Sequence, residues 1–168
     1  MSRYSLLAVT ALILVGCSPP VVGPPEDGPR QGSASPPVTA AEFDVGPIKS
    51  AADYLAEPRY ADPDIERGEL LSLACLACHT FSIGEPHTLG PNLGGLFGVP
   101  AASKAGFNYS LALKESRLIW TPRALEAWLA QPADFVPGTN MVFAGYGAAS
   151  DRRDVVAYLL QATERRMR

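Results

Sequence analysis

The sequence predicts a small all-α domain held on a separate amino-terminal address. Three observations lead there: capped helical segments recur from about Asp64 onward, a Cys-x-x-Cys-His run closes the first of them, and the first forty residues have a composition that no packed core shares. The chain has 168 residues, 47% of them apolar and 18% charged, with a net charge of −3. That length suits one domain with attachments, and the apolar fraction is ample for a core. A pI near 5.4 lacks the basic stripe expected of a nucleic-acid-binding protein. Beyond the first 16 positions no stretch approaches the roughly 18 apolar residues of a spanning helix.

The amino terminus reads as an address. Arg3 precedes an apolar run from Leu6 to Val15, the length of a signal-peptide core and short for a bilayer span. The run ends in Leu14-Val15-Gly16-Cys17, which is similar to a bacterial lipobox. That similarity implies that residues 1–16 are removed and that Cys17 is lipidated. Residues 17–40 then join the lipidated cysteine to a linker carrying the pairs Pro19-Pro20, Pro24-Pro25 and Pro36-Pro37. Proline-rich chain is extended and semi-rigid at ~3.1 Å per residue, so such a spacer lifts a domain by up to ~60 Å. Residues 41–65 form an acidic lead-in, read by default as solvated, with a short helix from Ser50 to Glu57 that Pro58 ends. Residues 66–168 are left for the domain itself.

Cys75-Leu76-Ala77-Cys78-His79 has the spacing of c-type haem attachment. Two thiols one helical turn apart add to the two vinyl groups along one porphyrin edge, and the next imidazole falls beneath the iron. Such attachment takes place outside the cytoplasm, in agreement with an exported amino terminus. Two other readings compete. A thioredoxin-type dithiol would want a βαβ setting, which the pattern lacks. Zinc would need all of Cys75, Cys78, His79 and His87, and the adjacency of Cys78 and His79 is awkward for one ion. For a sixth iron ligand, Met141 and His87 are the candidates. Met141 stands in a proline- and glycine-flanked loop, an unusual place for a core-filling methionine.

From about Glu66 to Arg166 the chain resembles a class I cytochrome c of the mitochondrial and α-proteobacterial type. Gly90-Pro91-Asn92-Leu93-Gly94-Gly95-Leu96-Phe97-Gly98 is similar to that family's loop after the haem motif, and Pro137-Gly138-Thr139-Asn140-Met141-Val142-Phe143-Ala144-Gly145 is similar to its axial-methionine loop. The resemblance implies one covalent haem c ligated by His79 and Met141, with the Pro91 carbonyl orienting His79. It implies that Tyr109, Trp120 and Thr139 hydrogen-bond a haem propionate, and that His87 ties one loop to another. It also implies the class I fold, with three main helices plus short helices and loops wrapped around the haem, and a crossing of the first and last helices near Gly68 and Tyr158.

The helical segments follow in order. The first runs from roughly Asp64 to Ala77 and the second from Ser110 to Ser116. A third is capped by Thr121 with Pro122 at its first position. Ser150 is expected to cap the last, where Val155, Tyr158 and Leu159 recur at helical spacing.

Three departures from the family pattern stand out. Val99 occupies the place of an arginine that assists a propionate, Trp128 that of a tyrosine near the methionine sulfur, and an indole donates but cannot accept. The positions of a lysine ring that steers docking in mitochondrial relatives read Ala74, Ala133, Asp134, Asn140, Ala148 and Ala149. The expectation is an electron carrier and not an enzyme, lipid-anchored on the periplasmic side of a Gram-negative membrane. Its donor would be a quinol–cytochrome c oxidoreductase or a periplasmic dehydrogenase, its acceptor a terminal oxidase or reductase. Alternatives are a dedicated cytochrome subunit of one dehydrogenase and a zinc-binding surface lipoprotein.

Overall fold

A computed structural model of the chain describes residues 48–164. The chain divides into Met1–Ser33, outside the described residues, and Ala34–Arg168, to which every described residue belongs. The signal-like run, Cys17, the proline-rich linker and the start of the acidic lead-in therefore lie outside the described residues. Among the described residues no helix is long and apolar enough to cross a membrane.

Among the described residues six α-helices form, and side-chain caps set where most of them start. Ser50 accepts from the Asp53 amide to open α1 (Ala51–Leu55), and a 3₁₀ turn follows at Pro58–Tyr60. Asp64 accepts from the Arg67 amide to open α2 (Ile65–Leu76). Ser110 opens α3 (Leu111–Glu115), and Thr121 opens α4 (Pro122–Ala130) with proline at the first position, where its missing N–H costs nothing. The single turn α5 (Pro132–Phe135) leads into the loop before α6 (Ala149–Ala162). Ser150 does not cap α6. The helix begins two residues earlier, with Ala148 at the cap and no side-chain cap bond. Asp151 in its first turn meets the helix dipole, and the Arg152 guanidinium donates to the Tyr146 carbonyl at 2.6 Å and to that of Gly147 at 2.9 Å. Among the described residues no strand forms; isolated bridge positions occur at Ile83 and, antiparallel, between Pro100 and Ile119.

The three longest helices, α2, α4 and α6, make the frame. Helix α6 buries Val155, Val156, Ala157, Leu159 and Leu160, and α4 buries Ala124, Leu125, Trp128 and Leu129. Where α2 crosses α6 the backbones nearly touch: a Cβ on Gly68 would lie 2.1 Å from the Asp154 carbonyl oxygen and 3.0 Å from the Tyr158 Cβ. Only glycine fits there. Asp154 also accepts from the Asp64 amide at 3.1 Å, so the crossing is fixed by a hydrogen bond as well as by contact.

The lead-in differs from its default reading. Its second half is docked on the domain, with Ala51, Tyr54 and Tyr60 buried. Arg59 grips the buried carboxylate of Glu126 on α4 through both oxygens, at 2.8 and 2.5 Å, and the Tyr60 hydroxyl donates to it at 2.5 Å. Burial raises the Tyr60 phenol above its ordinary value, so it remains a donor. A carboxylate inside an apolar helix face is tolerable because the lead-in supplies its partners. Arg59→Ala strands that carboxylate with Tyr60 alone and is expected to cost about 1–3 kcal/mol, a value below the usual one for a broken buried pair because Arg59 is half exposed. Glu126→Gln frees Arg59 to reach water and keeps an acceptor for Tyr60, so it should cost less. Urea unfolding of both variants checks that order.

Candidate functional site

The end of α2 builds the first wall of the site. The amides of Cys78 and His79 both return to the Cys75 carbonyl, at 3.0 and 2.9 Å, so the two thiols and the imidazole emerge from one tight turn. Both cysteines are free of any disulfide. Burial pushes the Cys75 thiol up to about 11, so in the folded chain it carries its proton. Nδ1 of His79 lies 2.7 Å from the Pro91 carbonyl oxygen, which can only accept. The proton is therefore on Nδ1, and Nε2 keeps a free lone pair. Burial also lowers the His79 pKa, the Pro91 bond opposing, which favours the neutral form that a metal needs. The ring is clasped from behind: a Cβ on Gly90 would lie 2.3 Å from its Cε1.

His87 has another task. Nε2 bonds the Ala105 carbonyl at 2.9 Å and Nδ1 accepts from the Asn92 amide at 2.9 Å, so both nitrogens are engaged in joining two loops. The same loop depends on Asn92. Its amide donates to the Thr80 and Ser82 carbonyls at 3.2 and 2.9 Å, and its oxygen accepts from the Gly94 amide at 3.0 Å. Nothing in the sequence alone separated Asn92 from an ordinary loop residue.

Met141 is brought to the site by a turn in which the Thr139 amide bonds the Val136 carbonyl at 3.0 Å and Gly138 takes φ 89°. The indole N–H of Trp128 donates to the Met141 sulfur at 3.2 Å. A thioether sulfur has two lone pairs, and this bond leaves one for a metal. The Thr139 hydroxyl oxygen accepts from the Met141 amide at 3.3 Å, and its own proton stays available.

These residues share one cavity of about 450 Å³, mostly apolar, which Cys75, Cys78, His79 and Met141 line together. Tyr109, Trp120, Thr139 and the Pro91 backbone segment line it as well. Trp120 is 8% exposed, yet its indole N–H finds no acceptor among the described residues. Burial raises the Tyr109 phenol, with the Lys104 backbone pulling the other way, so it too is a donor at neutral pH. Val99 also lines the cavity and brings no charge. Haem fits this set: two thiols beside an imidazole with a free Nε2, a thioether with a free lone pair, an apolar chamber, and donors waiting for carboxylates. Zinc does not find its ligands, since among the described residues no three His, Cys, Asp or Glu side chains cluster to hold an ion.

Fold and site together define a helical haem-binding domain. No protein-family profile matches the chain. Curated relatives do: it is 45% identical over 101 residues to cytochrome c of Chlamydomonas reinhardtii, covering 60% of this chain and 90% of that protein. It is 39% identical over 120 residues to a cytochrome c homolog of Bradyrhizobium diazoefficiens, covering 71% of this chain and 65% of that one. The solved structure of cytochrome cH from Methylobacterium extorquens matches with a TM-score of 0.55 at 40% identity, over 58% of this chain and 98% of the other. The chain belongs to the class I cytochrome c family. It is a mono-haem electron carrier with one covalently bound haem c.

Proposed function

We propose that this chain is a membrane-tethered carrier of single electrons on the periplasmic side of a Gram-negative bacterial membrane. Haem c supplies the chemistry, a reversible one-electron change between ferric and ferrous iron. The observation that carries the reading is the presence in one cavity of the Cys75, Cys78 and His79 wall and the Met141 thioether. His79 Nε2 and Met141 Sδ are the groups that would hold the haem iron. With both groups engaged on the iron no position would remain for a substrate, so the chain would pass electrons outer-sphere and would not act as an enzyme. Pro91 fixes the tautomer and angle of His79, and Trp128 holds the Met141 sulfur in place. Tyr109, Trp120 and Thr139, which line the same cavity, would donate to the haem propionates.

Electrons arrive from a quinol–cytochrome c oxidoreductase or a periplasmic dehydrogenase and leave to a terminal oxidase or reductase. Cys17 carries the lipid, and the proline-rich linker gives the domain its reach. The tether takes over a task that surface charge performs elsewhere. Ala74, Ala133, Asp134, Asn140, Ala148 and Ala149 are all exposed and none is cationic. Two cavity-lining residues, Leu89 and Val142, stand 82% and 100% exposed, and they give the docking face an apolar character. Confinement to one membrane raises effective concentration without any new contact.

The test is Cys17→Ala compared with the native chain. The haem protein should move from salt-washed membranes to the soluble fraction with its spectrum unchanged. Electron transfer from the native form to its membrane oxidase should change by less than about twofold between low and moderate ionic strength, where charge steering would give ~10 to 10³. Retention of the variant on the membrane, or a steep fall of the rate with salt, would overturn the reading.

A further inference from the structure

Lys104 was assigned no task by its sequence context, and the structure gives it an unusual one. Of the residues that line the haem cavity, it is the one with a permanent charge, and neither aspartate nor glutamate lines that cavity. The residue is half-buried, and its ammonium donates to the Gly94 carbonyl. No carboxylate pairs with it among the described residues, although Lys49, Arg59 and Arg67 all have such partners. Burial alone acts on its pKa, lowering it, and no neighbouring anion pushes it back.

An ammonium taken partly out of water without a counter-ion is a net cost, since desolvation is not repaid by a carbonyl dipole alone. The loop around it is under load too. Ala102, two residues before, has φ 58°, a left-handed conformation that strains a residue other than glycine. Ala101 is pinned to the Leu118 carbonyl at 2.7 Å, and the Lys104 backbone is in contact with the Tyr109 phenol. The chain therefore spends both backbone strain and desolvation on a loop that sets a cation in the cavity wall. A counter-ion inside the cavity would account for both.

We propose that Lys104 is the cationic partner of a haem propionate. This rests on the haem reading of the cavity. The neutral donors Tyr109, Trp120 and Thr139 bind a carboxylate without neutralising it, and Val99 beside them adds no charge. Lys104 supplies the missing positive charge. A carboxylate left uncompensated near the iron favours the ferric state, so the ammonium raises the reduction potential.

Three variants of the full-length holoprotein separate charge from scaffolding by potentiometric titration. Lys104→Met removes the cation and the bond to Gly94. Lys104→Gln removes the cation but keeps a donor for that carbonyl. Lys104→Arg keeps both. At a fixed ambient potential the ferrous-to-ferric ratio should fall by about three- to tenfold in the first two, tenfold being about 59 mV for a one-electron couple. It should stay within about twofold of the native ratio in Lys104→Arg. An unchanged ratio in haem-loaded Lys104→Gln would overturn the assignment and leave Lys104 as a loop tie, as would an equal fall in Lys104→Arg. Should Lys104→Met fail to fold, the Gln and Arg pair decides the matter by itself. A native chain without haem would overturn the site reading, and this proposal with it.

Discussion

Met141→Ala should yield a haem protein that has lost its near-infrared sulfur-to-iron absorption and part of its reduction potential. The structure gives the reason. The Met141 loop is set by the turn at Val136 and Thr139 and by the backbone freedom of Gly138, and these survive the substitution. Only the thioether goes, and with it the acceptor of the Trp128 indole N–H. Thioether ligation favours ferrous iron, so its replacement by water should lower the potential by roughly 0.1–0.3 V, part of the about 0.8 V over which axial ligands act. The opened position should also admit cyanide and peroxide. Survival of the near-infrared band in the variant would show that another residue ligates the iron. His87 is a poor substitute, since both its nitrogens already bind backbone groups.

What could be read from the sequence divides along physical lines. The Cys75–His79 turn and the Pro137–Gly145 loop are local: their chemistry depends on residues a few positions apart, and spacing alone exposes it. The caps Ser50, Asp64, Ser110 and Thr121 are local for the same reason, and α1 to α4 begin where those side chains can accept an amide. The start of α6 differs from the expected cap at Ser150 because the residue that stabilises its first turn is not a cap. Arg152 reaches back to two carbonyls of the preceding loop, an arrangement with no signature in a propensity pattern.

Long-range pairing was illegible. The docking of Tyr60 and Arg59 on Glu126 joins residues more than sixty positions apart. In the sequence this lead-in is merely acidic, and Glu126 reads as a surface residue on an amphipathic helix. Asn92 and Lys104 were hidden for the same reason. Each acts through carbonyls or a cavity that exist only once the loops have closed. Trp128 was half legible. Its place near the methionine sulfur and its donor-only chemistry were readable from the residue type, and the 3.2 Å bond shows which acceptor it found.

The second large effect concerns attachment itself, on which the whole account depends. Cys75→Ala combined with Cys78→Ala removes both thiols from the turn at the end of α2 and leaves His79, its bond to Pro91 and the cavity in place. Any haem that the variant still gathers should be held by ligation and packing alone, and acidified organic solvent should extract it completely. The measurement is the intact mass of the denatured chain in that solvent. The native protein should carry the added mass of one haem, and the double variant none. Covalent haem retained by the double variant, or a native chain with no added mass, would contradict the account.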